Sequence, residues 1–524
     1  MTTSLRPRFP PPHQYYTGET AATFPPWFFH GCSKASAPYD FPAPLKTLLP
    51  ILFFLLASLP CTAQMWPQPF QLMPYEREVR AVWYCTLGGI DWPGHQYAQT
   101  AYKANLQKQR LCEDFDRLKE AGINVVLFQA RVRGTVTYAS AYEPWDGAIS
   151  GTPGVAPPYD PLAFAVEEAH RRGMELHAYV VTYPICSTSQ ARQLGRKAVS
   201  ARHSELCQKA GNRWFMDPGA PGTAQYIANI CKEIVSNYEV DGIHLDYIRY
   251  PEREMAFNDD IAYRKWGNGV PKAQWKRNQV TRTVKAVHDA VRAIRPWVKL
   301  SCSPVGKYSD LPRAFSRGWN ARDAVSQDAQ LWLREGLMDW LFPMMYFDGQ
   351  HFYPFAANWQ QESAGHPVVP GLGVYLLSPD EKDWNLEVMT RQMNFLRVIR
   401  TGGQAFFRAR FLLDNYKGIY DFCREFNAQP ALTPPMTWLD NTPPPTPKVR
   451  MQRRDDYCLY ITWEPVKDAT PVVYNIYREE KNGNVEMVAH HLKNTHYLYV
   501  PSLPQRLNDK FIVRAMDAFG NESL

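Results

Sequence analysis

The stretch VDGIHLDYIRYP, residues 240–251, has the pattern of a β-strand that is buried on both faces. Successive side chains of a strand point to opposite faces, so His244 and Asp246 share one face, and Ile243 and Leu245 share the other. The two aliphatic residues suit a covering layer of helices, which turns His244 and Asp246 towards the interior of the sheet. Asp246 then lies near the carboxyl end of the strand.

Seven similar runs flank this stretch and alternate with amphipathic helical segments. In one of these, Val280, Val284 and Val287 recur at helical spacing, and Pro296 ends the helix. Eight β/α units in roughly 350 residues predict a (β/α)8 TIM barrel, an α/β fold. The eight predicted strands are Glu78–Thr86, Ile123–Gly134, Glu175–Pro184, Val240–Pro251, Lys299–Gly306, Met338–Phe347, Val368–Leu376 and Gly403–Leu412.

A doubly wound open sheet is the alternative for such an alternating pattern. That fold would place a glycine-rich phosphate loop and a helix directly after the first strand. Here Gly88-Gly89 leads into Ile90-Asp-Trp-Pro93, which does not continue as a helix. The barrel, spanning 76–427, is therefore the better prediction.

The amino-acid composition of the chain changes after residue 427. Prolines dominate 428–447, which predicts a stiff, extended linker, and few contacts are expected across it. Residues 448–524 then predict only strands, at Cys458–Trp463, Val472–Arg478, Val485–His490, Tyr497–Val500 and Lys510–Ala515. This region resembles a fibronectin type III domain through Ile461-Thr-Trp-Glu-Pro465, Tyr474-Asn-Ile-Tyr-Arg478 and the run from Phe511 to Ser523. Its size suits a small all-β sandwich.

The N-terminal region predicts export. An apolar run, Leu48–Leu59, follows Lys46 and precedes a small-residue cleavage site at Ala63-Gln64. Residues 45–63 therefore read as a signal peptide, too short for a membrane span. Residues 1–44 are interpreted as a non-native or disordered extension ahead of the true translation start. We expect a periplasmic, outer-envelope or extracellular protein.

Composition excludes several function classes. The net charge of +7 is spread along 524 residues without a basic run, so no nucleic-acid partner is expected. No motif calls for a metal or a cofactor, and none is predicted. No stable protein partner is inferred either. An aromatic content of 14% suits a glycan-binding cleft as well as a large core.

Catalytic residues of a barrel lie at the carboxyl ends of its strands. Asp246 is the predicted catalytic carboxylate, since an Asp there can act as nucleophile, base or acid on a glycosidic bond. Asp348, after the sixth predicted strand, is the predicted second carboxylate, and Asp91, after the first, is its rival. No Glu ends the fifth strand, where residues 303–306 read Ser-Pro-Val-Gly, so an acid pair on strands four and five is absent.

Strand parity points to further inward-facing polar side chains near the strand ends. These are Gln129 with Arg131, Tyr346 with Asp348, and Arg408 with Arg410. Inward arginines are costly unless they are paired. Each is expected to meet a carboxylate of the cleft, an anionic substrate, or a partner in a buried structural ion pair.

An ordered set of motifs between about 76 and 427 resembles the glycosyl hydrolase-like 10 family. The matching stretches are Glu78-Val-Arg-Ala-Val-Trp83, Asp91-Trp-Pro93, Gln129-Ala-Arg131, Tyr138-x-Ser140 through Glu143-Pro-Trp145, Tyr159-Asp-Pro161, Asp241-Gly-Ile-His-Leu-Asp246 to Tyr250-Pro251, Ser303-Pro304, and Gly336-Leu-Met-Asp-Trp340 to Pro343-Met-Met-Tyr346. Met344-Met345 departs from the family pattern. The resemblance implies an envelope-associated hydrolase of peptidoglycan glycan strands, preferably strands stripped of stem peptides.

The resemblance assigns the catalytic position to Asp246 and adds cleft positions. Together with parity, the predicted substrate-binding residues are Arg80, Trp83, Asp91, Trp92, Gln129, Arg131, His244, Tyr247, Tyr346 and Arg408. The predicted function is hydrolysis of peptidoglycan or a related N-acetylated polysaccharide. A non-catalytic envelope glycan-binding protein and a lytic transglycosylase are the alternatives.

Overall fold

The computed structural model describes residues 77–524 except 253–254, 454–456, 482 and 502–503. The predicted extension, 1–44, and signal peptide, 45–63, lie outside the described residues. Up to the linker the strands are Val79–Tyr84 (β1), Val125–Arg131 (β2), Glu175–Val181 (β3), Pro184–Ser187 (β4), Cys207–Ala210 (β5), Arg213–Met216 (β6), Gly242–Asp246 (β7), Lys299–Cys302 (β8), Trp340–Leu341 (β9), Gly371–Leu372 (β10) and Gly403–Phe406 (β11).

Eight of these strands form one parallel sheet in the order β10-β11-β1-β2-β3-β7-β8-β9. The two end strands also meet, through parallel bridges from Leu341 to Val368 and from Met344 to Gly371. The Val369 N–H donates to the Leu341 carbonyl at 2.8 Å across this junction. The sheet therefore closes on itself, and the predicted (β/α)8 barrel is confirmed. The remaining strands, β4, β6 and β5, form a small antiparallel sheet in the loop after β3.

Helices alternate with the barrel strands. The helix Lys272–Arg292 shows why they form: Val280, Val284, Val287 and Val291 are buried along one face, as their spacing predicts. The α-helices are Ala101–Glu120 (α1), Gly147–Ser150 (α2), Pro161–Arg171 (α3), Thr188–Leu194 (α4), Val199–Arg202 (α5), Thr223–Asn237 (α6), Asp260–Trp266 (α7), Lys272–Arg292 (α8), Ala321–Ala324 (α9), Ala329–Arg334 (α10), Tyr353–Gln361 (α11), Leu386–Val398 (α12), Ala409–Leu413 (α13) and Ile419–Phe426 (α14). Among the described residues, no helix has the length and apolarity needed to cross a membrane.

Strand parity separates the barrel interior from the layer under the helices. The interior cluster comprises Val79, Ala81, Trp83, Cys85, Val125, Leu127, Tyr179, Val181, Trp340, Phe342, Val369 and Ala405. Ile243 and Leu245 belong to the larger cluster beneath the helices, so the predicted facing of β7 is confirmed. Gly242 faces the interior beside His177, where a Cβ would lie 2.4 Å from the His177 Nδ1 atom. Only glycine fits that position.

The amino ends of the strands are tied together by side chains that accept backbone hydrogen bonds. Asn124, just before β2, accepts from Arg80 N at 2.8 Å. Asp241, just before β7, accepts from Leu176 N at 2.7 Å, and Asp339, just before β9, accepts from Leu300 N at 2.7 Å. This end of the barrel therefore has a structural role, as is usual for the fold.

The C-terminal region contains two antiparallel three-stranded sheets, β12-β13-β16 and β15-β14-β17. Its strands are Val449–Arg453 (β12), Leu459–Trp463 (β13), Val473–Glu479 (β14), Val485–Leu492 (β15), His496–Tyr499 (β16) and Lys510–Met516 (β17). A separate core that includes Trp463 and Ile476 lies among them. All five predicted strands are present, and β12 was missed. The likeness to fibronectin type III remains a prediction.

The proline-rich segment makes more contacts than its composition suggested. Leu432 accepts a backbone hydrogen bond from Glu78 N at 2.9 Å, and Thr433 donates to Glu175 at the base of the barrel interior at 2.6 Å. Trp438 packs on the interior cluster and donates to Asp339 Oδ1 at 3.0 Å. The segment therefore does more than link two domains, because it closes the amino end of the barrel.

Replacing Trp438 with alanine is expected to lower the free energy of unfolding by about 2 kcal/mol, since a half-buried ring and a hydrogen bond are lost. Chemical denaturation followed by circular dichroism measures this. The control Leu439→Ala removes a neighbouring side chain that is 40% exposed and should change the free energy by less than about 0.5 kcal/mol. Equal effects of the two variants would show that the segment does not support the barrel.

Candidate active site

Asp246 lies at the carboxyl end of β7, facing the barrel interior, and is 5% exposed. Three donors hold its carboxylate. Tyr179 OH donates to Oδ2 at 2.7 Å, and Ser303 Oγ and the Tyr247 backbone N–H donate to Oδ1 at 2.8 and 2.7 Å. Burial, followed by the Asp246 charge, raises the pKa of Tyr179 well above its ordinary value, so its hydroxyl stays a donor. The carboxylate is therefore fixed in orientation before any substrate binds.

The floor beneath Asp246 consists of Trp83 and His244, both buried. The Trp83 indole N–H donates to His244 Nε2 at 3.2 Å, and His244 Nδ1 contacts Ser301 Oγ at 3.0 Å. An indole N–H can only donate, so Nε2 accepts and Nδ1 carries the proton. Burial lowers the pKa of His244 well below its ordinary value and keeps the ring neutral. Both residues support the site from below, which corrects their assignment as substrate-binding residues.

Aromatic side chains lie at the carboxyl end of the barrel interior. Tyr346, half-buried after β9, stacks on Phe407 with ring centroids 5.3 Å apart and meets Tyr375 edge-on at 5.7 Å. Burial, followed by the charges of Tyr375 and Asp246, raises the pKa of Tyr346 well above its ordinary value. Tyr247, with a φ of 51°, is half-buried against the interior cluster. Contact of Tyr346 and Tyr247 with a substrate stays a prediction.

Asp91 anchors Arg408 at the rim. Its Oδ1 accepts from the Arg408 guanidinium at 2.5 Å and from Arg410 N at 3.0 Å, and its Oδ2 accepts from Cys85 N at 2.8 Å. Burial raises the pKa of Asp91 although the Arg408 charge opposes that rise. Asp91 is 1% exposed and ion-paired with Arg408, so it positions Arg408 and joins the loop after β1 to that after β11.

Strand β11 ends at Phe406, earlier than predicted. Arg408 therefore lies in the following turn and Arg410 in α13, where Arg410 pairs with Asp414. The two arginines do not share a strand face. Arg408 still reaches the rim because Asp91 holds it there.

Two further predicted cleft residues support the fold. Trp92 is fully buried, belongs to the core beneath the helices and donates to the Gln107 carbonyl at 3.0 Å. The Gln129 side-chain oxygen accepts from Thr86 N at 2.9 Å and from Leu87 N at 2.8 Å. Neither side chain faces a substrate, and both fix the loop that follows β1.

The buried arginines also have structural roles. Strand parity predicted that Arg131 faces inward, but an irregular register after Gln129 pairs it with Val180, whose side chain lies in the cluster beneath the helices. Arg131 forms a bidentate pair with Glu143 at 2.8 and 2.6 Å and donates to the Thr182 carbonyl at 2.8 Å. Arg80 lies at the amino end of β1, where it pairs with Glu78 at 2.7 Å. Its assignment to the cleft is corrected, because the cleft is at the opposite end of the barrel.

Asp348 is exposed in the loop after β9. Its Oδ1 accepts from Gly349 N at 2.6 Å, and its charge raises the pKa of Tyr353, on α11. Among the described residues, no hydrogen bond joins it to Asp246 or to the donors that hold Asp246. Its role as the second carboxylate stays a prediction.

Glu381, in the loop after β10, is a carboxylate that sequence reasoning missed. Burial and then the Asp380 charge raise the pKa of Glu381, while Arg408 opposes the rise. Glu381 follows the carboxyl end of β10, which lies at the same rim of the parallel barrel as Arg408, after β11. A carboxyl group with a raised pKa beside the cleft is suited to donate a proton.

Tyr179 and Ser303 were also missed as partners of Asp246. Parity on β3 gives a signal for Tyr179, since it faces inward in register with His244. Ser303 was noticed only as part of a motif. Within the described residues, no three His, Cys, Asp or Glu side chains converge as metal ligands.

A closed parallel barrel with a fixed carboxylate and aromatic side chains at its carboxyl rim is typical of barrel enzymes that act on sugars. The family model for glycosyl hydrolase-like 10 matches residues 78–369. The chain belongs to this family, and the class predicted from its motifs, a glycoside hydrolase, is confirmed.

Similar proteins include curated bacterial enzymes. Glycosyl hydrolase YngK of Bacillus subtilis is 30% identical over 429 residues, which cover 77% of this chain and 83% of that protein. Glycosyl hydrolase DigH of Escherichia coli is 31% identical over 306 residues, 55% of this chain and 68% of that protein. The solved PgaB (BpsB) glycoside hydrolase domain of Bordetella bronchiseptica is 13% identical with a TM-score of 0.45, covering 69% of this chain and 100% of that chain.

Replacing Tyr179 with phenylalanine should lower kcat about 10- to 100-fold, because Asp246 loses one charge-assisted hydrogen bond while the ring packing on His244 is retained. Steady-state kinetics on soluble glycan fragments measure the effect. The control Tyr102→Phe alters a tyrosine that is 72% exposed and should leave kcat unchanged. An unchanged kcat in Tyr179→Phe would refute the positioning role.

Proposed function

We propose that this glycoside hydrolase cleaves the glycan strands of peptidoglycan, or of a related N-acetylated polysaccharide, with Asp246 as its catalytic carboxylate. The observation that carries the proposal is the position of Asp246, at a strand's carboxyl end with three donors on its oxygens. A carboxylate so fixed stabilises the positive charge that develops at the anomeric carbon.

The side chains around Asp246 are suited to contact a sugar ring. Tyr346 and Tyr247 offer aromatic surface for the apolar face of the ring, and Arg408 offers guanidinium donors for its hydroxyl or carbonyl oxygens. Asp246 acts beside the anomeric carbon, either as nucleophile or by orienting an N-acetyl group of the substrate. Both routes require its carboxylate.

Cleavage also needs a proton donor for the leaving oxygen. Three rim carboxyl groups are available for comparison: Asp348, Asp91 and Glu381. Both Asp91 and Glu381 have a raised pKa, but Asp91 is 1% exposed and ion-paired with Arg408, whereas Glu381 is exposed. The separation between Asp246 and the true donor decides retention or inversion, about 5 Å against roughly 6.5–9.5 Å.

The choice of peptidoglycan is supported by the family resemblance and by the predicted export signal. Residues 45–63 would direct the protein out of the cytoplasm. Peptidoglycan is found outside the cytoplasm, in the cell envelope. The relatives YngK and DigH are named as glycosyl hydrolases, which supports a glycan substrate without naming the sugar.

Asp246→Asn is expected to lower the rate of glycan cleavage at least a hundredfold, with folding and glycan binding retained. The change keeps the shape of the side chain and removes its charge. Release of reducing ends from purified glycan strands measures the rate. Asp289→Asn, on the exposed side of α8, is the matched control and should cleave at the wild-type rate.

Each alternative function has its own outcome in this assay. Anhydro-sugar ends in place of reducing ends would identify a lytic transglycosylase. Binding of strands without cleavage by the wild type would identify a glycan-binding protein. Near wild-type cleavage by Asp246→Asn would contradict the proposed mechanism, and testing Asp348→Asn, Asp91→Asn and Glu381→Gln alongside identifies the proton donor.

The mature protein is expected to begin near Gln64 and to be found outside the cytoplasm. Cell fractionation with N-terminal sequencing measures both properties. Recovery of most of the protein from the cytoplasm with an intact N-terminus would refute the proposed export.

A further inference from the structure

The chain turns sharply directly after Asp246. Tyr247 has a φ of 51°, in the left-handed region that residues other than glycine seldom adopt. This turn brings the Tyr247 backbone N–H to the Asp246 side chain, where it donates to Oδ1 at 2.7 Å. A strained residue at a functional position persists only where its surroundings hold it. The hydrogen bond on Asp246 therefore depends on the contacts that fix Tyr247.

The segment that follows Tyr247 is anchored on the helix side of the barrel. Ile248 and Tyr250 are buried in the core beneath the helices. The Tyr250 N–H also donates to the Val325 carbonyl at 3.1 Å. The Tyr247 ring, by contrast, packs against the interior cluster. Residues 248 and 250 thus fix the path of the segment, and the ring of Tyr247 is held by other contacts.

Arg249 covers the Tyr247 ring. The central carbon of its guanidinium lies 4.3 Å from the centroid of that ring, which is the arrangement of a cation–π contact. Arg249 is only 6% exposed, so water weakens this attraction less than it would at an open surface. The guanidinium therefore restrains the ring of Tyr247 and, with it, the left-handed turn.

The other contacts of Arg249 do not explain why it is buried. Its Nη2 atom lies 3.9 Å from Glu252 Oε1, too far for a hydrogen bond. Its Nη1 atom is buried and has no hydrogen-bond partner in the part of the chain that the structure describes. Arg80 and Arg131, by comparison, are each paired with a carboxylate, at 2.7 and 2.6 Å. A buried donor without an acceptor destabilises a fold, so stability alone does not account for Arg249.

We propose that Arg249 is a positioning residue, which holds Tyr247 in the left-handed turn and so keeps the Tyr247 N–H on the carboxylate of Asp246. This rests on the proposed catalytic role of Asp246 and adds a residue that acts on Asp246 through its neighbour. Without the guanidinium, the Tyr247 ring is free to leave its place, and the backbone relaxes from the left-handed region. Asp246 then loses one of its three donors and turns more freely.

The test separates positioning from a purely structural role by measuring kcat, KM and stability on the same variants, with soluble glycan fragments as substrate. Arg249→Met keeps an unbranched side chain and removes the cation. Its kcat should fall about tenfold while KM changes less than about twofold, because Asp246 acts in the transition state. Chemical denaturation should give an unchanged or higher free energy of unfolding, since a buried unpaired donor is removed. The control Arg391→Met, on the exposed side of α12, should leave kcat unchanged.

A double variant shows whether Arg249 acts through Tyr247. Tyr247→Gly removes the ring and allows the left-handed turn without strain. Adding Arg249→Met to Tyr247→Gly should cost no further activity, because the ring that Arg249 restrains is already gone. Losses that multiply in the double variant would show that Arg249 acts by another route and would overturn the positioning role.

A conservative variant keeps the test decisive if Arg249→Met does not fold. Arg249→Lys retains a cation over the ring and should keep kcat within about threefold of the wild type. A tenfold loss in Arg249→Lys, or a raised KM with unchanged kcat in Arg249→Met, would overturn the positioning role. If Asp246→Asn abolishes cleavage while Arg249→Met keeps the wild-type kcat, only this inference fails. Cleavage by Asp246→Asn at near the wild-type rate would instead refute the proposed function.

Discussion

The closure of eight parallel strands into a filled barrel is the constraint on which the rest of the structure depends. Parallel strands bring all their carboxyl ends to one rim, and the bridge from Leu341 to Val368 completes the ring. Because rings such as Trp83 and Phe342 fill the interior, a substrate can meet only the last inward-facing side chains. Asp246 occupies that layer on β7.

The residues below and around Asp246 differ in role: some support the fold, and others are placed for catalysis. His244 and Trp83 fill the layer beneath Asp246, and the two side chains are hydrogen-bonded to each other. At the far end of the barrel, Asn124 and Asp339 tie neighbouring strands together. Charges at that end serve stability, whereas the carboxylate that three donors hold at the rim is placed for reaction.

The barrel and the facing of β7 could be predicted because strand alternation and helical periodicity are local properties of the sequence. The same parity predicted Arg131 inside, but an irregular register after Gln129 turns it towards the layer beneath the helices, and Glu143, in the following loop, pairs with it. Arg80 was misplaced because the family resemblance alone put it at the cleft, while its position early in β1 sets it at the opposite end.

Features that depend on the path of loops were beyond prediction. The support that Tyr179 and Ser303 give Asp246 requires the register between strands and the turn after β8. Likewise, the contact between Trp438 and the barrel base depends on where a proline-rich segment folds back, which composition does not reveal. Such residues become visible only when distant segments are brought together.

The most direct measurement of the role of Asp246 is a crystal structure of the Asp246→Asn variant with a bound peptide-free glycan oligosaccharide. The proposed mechanism predicts an intact glycosidic bond beside the residue at position 246. Either the anomeric carbon or the N-acetyl group of the sugar unit being cleaved would lie within about 3.5 Å of the substituted side chain. An oligosaccharide bound elsewhere on the barrel, with the side chain at position 246 shielded from it, would contradict the assignment.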